Sequence, residues 1–204
     1  MDGTEDIPLH VAKFNTDFTI LANFFLLIWG IHFLDQKILK QKLSASFCVI
    51  PREKFSLSRI LFFNFLHADN EHLFGNTLPL LILGWFTMLP ETRDFWIATA
   101  VTGIIGGLGI WRFATPQKPT VGTSGLAMGY FGFIISRGFF VQDTGQVLFA
   151  FAIFIFFGYL SQFIWLRRPR ISWHGHFFGF LGGILSAWLV SLLPLLPFTG
   201  LNTP

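Results

Sequence analysis

Charge is what this chain has least of: Asp, Glu, Lys and Arg together make up 12% of its 204 residues, against 52% hydrophobic residues. That balance excludes a soluble domain of ordinary composition and points to a polytopic membrane protein. The formal net charge is only +3, and no stretch clusters Lys and Arg on a soluble face, so a nucleic-acid partner is excluded as well. Cysteine is all but missing. Cys48 stands alone, so neither an intramolecular disulfide nor a cysteine metal site can be built. The first residues carry Asp2, Glu5 and Asp6 where a secretory leader has a basic region, and no small-residue cleavage pattern follows. The first apolar run is therefore expected to persist as a helix. Internal repeats, low-complexity tracts and linkers are absent, which leaves one integral domain.

What is present is long apolar sequence rich in aromatics, with 28 Phe and 7 Trp, fitting lipid-facing helices with rings near the interfaces. Charged residues punctuate six segments of roughly the 20 residues a bilayer crossing needs. They run from about Phe18 to Leu34, His72 to Leu89, Phe95 to Trp111, Ser124 to just before Arg137, Gln146 to Leu166, and Trp173 to Leu195. Asp69-Asn70 reads as a helix start and Pro90 as a stop. Residues 1–17 are expected to be a tail, 18–196 the membrane domain, and 197–204 a second tail. The connection 36–71 mixes apolar and basic residues and is expected to lie partly among lipid headgroups. The fourth segment is short for a crossing. That fits a helix starting below the membrane surface in a wet cavity, reached by a descending loop from Thr115 to Gly122, since irregular backbone at such depth must line a cavity or be buried in protein. Arg137 reads as an interfacial anchor.

Polar residues at membrane depth default to a functional reading. Ser124 falls at a helix start, where unpaired amides and the positive dipole end stabilise an oxyanion; the alternative is a plain N-cap serine. The soluble hydrolase elbow is not matched, because Leu126 takes its last position and no strand precedes it. His176, Gly179 and Gly183 share one helix face, and Gly125, Gly129 and Gly132 form a matching small face on the fourth segment. Close approach of those faces would bring the imidazole to the Ser124 hydroxyl, as an activated serine requires; the alternative is glycine packing beside a structural histidine. His72 and Asn76 share a helix face one turn apart, and their side-chain donors, with the Ser124 backbone N–H, suit an oxyanion hole. A zinc site built from His67, His72, His174 and His176 is the competing chemistry, but no His-Glu-x-x-His exists and His174 and His176 face different ways. His10 and His32 have no nameable partner.

Taken in order, His67, His72 with Asn76, Gly122-Thr123-Ser124-Gly125, and His176 with Gly179 and Gly183 resemble the rhomboid family of intramembrane serine proteases. Gly106-Gly107-Leu108-Gly109 with Trp111 adds to the likeness, which covers about Phe65 to Ala187. The resemblance implies an all-α six-transmembrane-helix bundle with a short central fourth helix. It implies Ser124 as nucleophile, His176 as general base and later acid, no acidic third member, and an oxyanion held by His72, Asn76 and the Ser124 amide. Gly122, Gly125, Gly179, Gly183 and His67 would support the site, with no metal or cofactor. Met128, one turn after Ser124, stands where many members place an aromatic ring against the catalytic histidine, and the first loop lacks the Trp-Arg pair of some bacterial members. The substrates implied are transmembrane proteins cleaved in or near their spanning helix through an acyl-enzyme, in the bacterial inner membrane.

Orientation stays open. Eleven of the fourteen Lys and Arg fall on the side of the first, third and fifth loops, which the positive-inside rule makes cytoplasmic; bacterial rhomboids imply the reverse. A rhomboid-like non-catalytic binder or escort of transmembrane clients is the alternative function, and it predicts loss of Ser124 or His176, both of which are present. A transporter would show a polar track across several helices, and none is visible.

Overall fold

A computed structural model describes residues 9–116, 118–165 and 172–193, with the side chains of 158–165 excepted. Within them the fold is all-α: α1 Leu9–Phe33, α2 Lys42–Phe47, α3 Leu57–Phe62, α4 Asn70–Met88, α5 Thr92–Phe113, α6 Ser124–Phe140, α7 Thr144–Trp165 and α8 Trp173–Ser191. No strand occurs among the described residues, only one isolated bridge between Val49 and Thr120. By length and composition, Leu9–Ile38 and Thr92–Phe113 are long and apolar enough to cross a membrane.

The first helix begins earlier than the sequence suggests. Asp17 reads as a boundary, yet its buried carboxylate takes an ion pair from Lys13 one turn back and a hydrogen bond from the Thr92 hydroxyl at 2.5 Å. Lys13 Nζ also donates to the Met88 carbonyl at 2.9 Å. With its charge satisfied by Lys13 of the same helix and Thr92 of α5, Asp17 sits inside α1, and residues 9–17 belong to the helix instead of a tail. Residues 1–8, the second tail and the end of the sixth segment beyond 193 lie outside the described residues.

Asp35 marks the other end of α1 and caps α2, accepting from the amides of Leu43 at 2.8 Å and Ser44 at 3.0 Å. The long connection is thus folded. Val49, Ile60 and Phe63 are buried against Ile110 and Ala114, whereas Phe55, Leu57, Leu61 and Phe62 point outward.

Arg137 is a second correction. It is buried, donating from Nε to Asp94 at 2.9 Å and from Nη1 to Gln146 at 2.5 Å, so it ties α6 to α5 and α7 instead of anchoring at an interface. The guanidinium's several donors reach both partners at once, which offsets the cost of burying the charge.

The apolar core gathers Leu21, Phe24 and Ile28 of α1 with Leu80 and Leu83 of α4, Phe95 of α5, and Tyr130 and Phe133 of α6. The outside is equally apolar, with Leu148 67% and Phe151 64% exposed on α7, a surface suited to lipid and not to water. The tightest packing joins α5, α6 and α8, where glycine removes the side chains that would hold the helices apart. A methyl on Gly183 would lie 2.7 Å from the carbonyl carbon of Gly129 and 2.8 Å from the Phe133 amide nitrogen. Gly132 abuts the Phe180 carbonyl, and Thr102 of α5 fills the space beside Gly129 and Gly182.

Candidate active site

The loop that leads into α6, from 118 to 123, is clamped from one side by the first connection. Val49 and Thr120 exchange two amide-carbonyl bonds of 3.0 Å each, and the Gly122 amide donates to the Phe63 carbonyl at 3.0 Å. His67, only 1% exposed, completes the clamp: its Nε2 lies 3.1 Å from the Thr123 hydroxyl and accepts from the Thr123 amide at 3.5 Å. Burial, reinforced by the nearby imidazoles of His72 and His32, holds the His67 pKa down at about 3. The ring is therefore neutral at physiological pH and free to accept at Nε2.

This clamp decides what Ser124 is. The residue flanking α6 is Thr123, whose side chain makes no cap bond to the helix because it faces His67. Ser124 is the first residue of α6, so the plain N-cap reading does not hold. Its hydroxyl sits at the amide end of the helix dipole.

Gly122 is the hinge of the loop, with φ +132°, which side-chain-bearing residues rarely adopt. A methyl there would also meet His72, 2.6 Å from Cε1 and 2.8 Å from Nε2, and Asn76 Nδ2 at 3.7 Å. Two donors of α4 thus converge on the backbone two residues before Ser124. The register of α4 is set by Asp69, whose carboxylate accepts from the His72 amide at 2.7 Å. Asn76 Nδ2 is buried with no acceptor among the described residues; an amide donor kept dry and unspent is costly and suits an oxyanion hole.

On the other side, α8 starts at Ser172, whose hydroxyl accepts from the Gly175 amide, so His176 enters one turn into the helix and is 9% exposed. A methyl on Gly125 would stand 3.2 Å from the Gly175 carbonyl oxygen, and one on Gly179 would press into the carbonyl of Gly125. The chain neighbours of Ser124 and His176 are therefore in backbone contact. Met128 is half-buried one turn further along α6. Among the described residues no group of three or more His, Cys, Asp or Glu could hold a metal ion.

Residues 54–193 match the model of the Rhomboid domain. The chain belongs to the rhomboid family. It is accordingly a membrane protein. The uncharacterized proteins Rv1337 of Mycobacterium tuberculosis and Mb1372 of Mycobacterium bovis are each 30% identical over 181 residues, covering 85% of this chain and 75% of theirs. The uncharacterized protein ML1171 of Mycobacterium leprae is 33% identical over 133 residues, 62% of this chain and 53% of that protein. The matched rhomboid domain opens inside the first connection, so α1 precedes it.

One residue of α1 nonetheless reaches the site's supports. His32 is buried, and its Nε2 lies 2.9 Å from Asn70 Oδ1, at the start of the helix carrying His72 and Asn76. Its ring stands edge-on to His67 at 6.1 Å, and His67 in turn to His72 at 5.2 Å. The sequence signal that could have found it is a lone histidine among apolar residues; its partner lies 38 positions away.

Proposed function

We propose that this chain is an intramembrane serine protease whose nucleophile is Ser124 and whose general base is His176, working as a dyad with no acidic third member. The observation that carries the reading is the close approach of Gly125 to Gly175 and Gly179, which supports a meeting of Ser124 and His176, each the chain neighbour of one of these glycines, across the seam between α6 and α8. His176 takes the Ser124 proton as Oγ attacks the scissile carbonyl, then returns it to the leaving amine. Charge that builds on the carbonyl oxygen is met by His72, Asn76 and the Ser124 amide. An acyl-enzyme forms, and water hydrolyses it.

The proposed setting is a six-span bundle of α1 and α4 to α8 in a bacterial inner membrane, acting on transmembrane proteins in or near their spanning helix. The outward apolar faces and the family support the setting. The test is hydrolysis of a transmembrane reporter in proteoliposomes. Wild type cleaves it; Ser124→Ala and His176→Ala each lose nearly all activity, since nucleophile and base act as a unit. Retained cleavage in either variant refutes the dyad. Client binding without cleavage by wild type would favour the escort reading.

A further inference from the structure

We propose that a cleft between α1 and α5 is a binding site for one acyl chain of an anionic phospholipid, placed against the helix that carries Ser124. The inference rests on the chain lying in a membrane and not on its being a protease. The cleft holds ≈ 520 Å³ and is walled by Phe24 and Leu27 of α1, Trp96 and Ala100 of α5, Leu61 of the first connection, and, innermost, Leu126. Leu126 is two residues past Ser124. Asn64 braces the same wall, its Nδ2 3.2 Å from where a Gly103 methyl would be.

Size and polarity choose the occupant. The cleft's helical walls run only from Ile20 to Leu27 and from Trp96 to Ile104, about 11 and 12 Å at 1.5 Å per residue, well short of the roughly 30 Å of a client's spanning helix. A flexible hydrocarbon chain fits. The lining is apolar apart from Asn23, Asn64 and Thr99, and the Thr99 hydroxyl is already bonded to the Phe95 carbonyl at 2.6 Å and to Tyr130 at 2.7 Å. Leu27, Leu61, Trp96 and Ile104 are well exposed at the mouth, which opens sideways to lipid.

Charge selects the headgroup. Around Trp111, near the end of α5, stand Arg52, whose amide bonds the Trp111 carbonyl, Lys54, Arg59 and Arg112. They face one acid, Glu53, which pairs with Arg59 at 3.3 Å and whose carbonyl accepts from the Trp111 indole at 2.9 Å. At 1.5 Å per residue, Ile104 and Ala100 lie roughly 12 and 18 Å along α5 from Arg112. One leaflet's hydrocarbon is about 15 Å deep. A phosphate held at the basic collar therefore sends its chain down to the cleft.

The test uses the full chain in vesicles of phosphatidylglycerol and phosphatidylcholine, with a trace of either lipid carrying a diazirine in its acyl chain, and adducts mapped by mass spectrometry. Adducts concentrate on Leu27, Trp96, Ala100 and Ile104, and more so for the anionic lipid. Ala100→Trp and, from the opposite wall, Asn23→Phe abolish them while leaving adducts on Leu148 and Phe151 of α7. Arg112→Gln weakens the anionic preference about fivefold. Ser124→Ala gives the wild-type pattern, which separates this proposal from the protease reading. Equal labelling of cleft and α7, unchanged by either filling variant, means ordinary surrounding lipid and overturns the site. Equal labelling by both headgroups overturns the anionic selection, and displacement of the adducts by a transmembrane client peptide overturns the acyl-chain occupant.

Discussion

Gly179→Ala is the smallest change that separates a tight catalytic seam from loose packing. The added methyl would stand 3.0 Å from the carbonyl carbon and 3.1 Å from the Cα of Gly125, and nearer still to its oxygen, where ordinary contacts run 3.4–4 Å. The obstacle is backbone, so α8 must back away from α6 by about 1 Å, and a displacement of that size between reacting groups costs on the order of 100-fold in rate. Overpacking costs about 1–3 kcal/mol, of which the better helix propensity of alanine returns up to about 1. The net expectation is a modest stability loss with a large loss of kcat. Gly106→Ala is the internal control. Its methyl faces the same Gly179 from α5, 3.8 Å from Cα, an ordinary contact, so stability and turnover stay near wild type. Reporter cleavage in proteoliposomes and thermal unfolding in detergent read both variants. Wild-type kcat in Gly179→Ala, or equal damage from the two substitutions, would refute the reasoning.

Asn76→Ala should lower kcat by 100- to 1,000-fold, the loss expected for one oxyanion donor at about 3 kcal/mol, with little change in KM; an unchanged kcat removes Asn76 from the hole. Asp94→Asn or Arg137→Met should each destabilise by about 3–5 kcal/mol, because the remaining charge is left buried, whereas Asp94→Leu combined with Arg137→Met should cost far less. Additive losses in the double variant would contradict a buried pair. His67 is held at about 3 against an unfolded value near 6.5, so its neutral form is the folded one and the unfolded chain binds more protons between those limits. Its contribution is complete above pH 6.5 and falls by about 1.4 kcal/mol per unit as the pH drops towards 3. Thermal unfolding should show roughly 2 kcal/mol lost between pH 7 and 5, and His67→Gln should flatten that slope; the same slope in the variant assigns it elsewhere.

Much of this architecture was legible because it is local. Apolar runs between charges locate the long helices, and the three- and four-residue spacing of Gly179 and Gly183 identifies a face that admits another backbone. What the sequence concealed depends on distant partners. Asp17 and Arg137 look like boundary residues because isolated charges cannot sit in a bilayer; Lys13 and Thr92, and Asp94 and Gln146, are the partners that let them be buried. The status of Ser124 turned on Thr123, whose hydroxyl is engaged by a histidine 56 positions earlier. His32 stayed unread for the same reason. The first connection looked like an interfacial stretch because Ile38, Phe55, Leu57, Leu61 and Phe62 do face outward, while Val49, Ile60 and Phe63 build a small core with Ile110 and Ala114.

The proposed chemistry makes Ser124 a nucleophile activated by His176. The most direct measurement is covalent capture by a fluorophosphonate, with the modified residue mapped by mass spectrometry in the wild type and in His176→Ala. The expected result is a single adduct, on Ser124, that vanishes when the imidazole is removed while the protein stays folded. An adduct on any other residue, or equal labelling of Ser124 without His176, would contradict it.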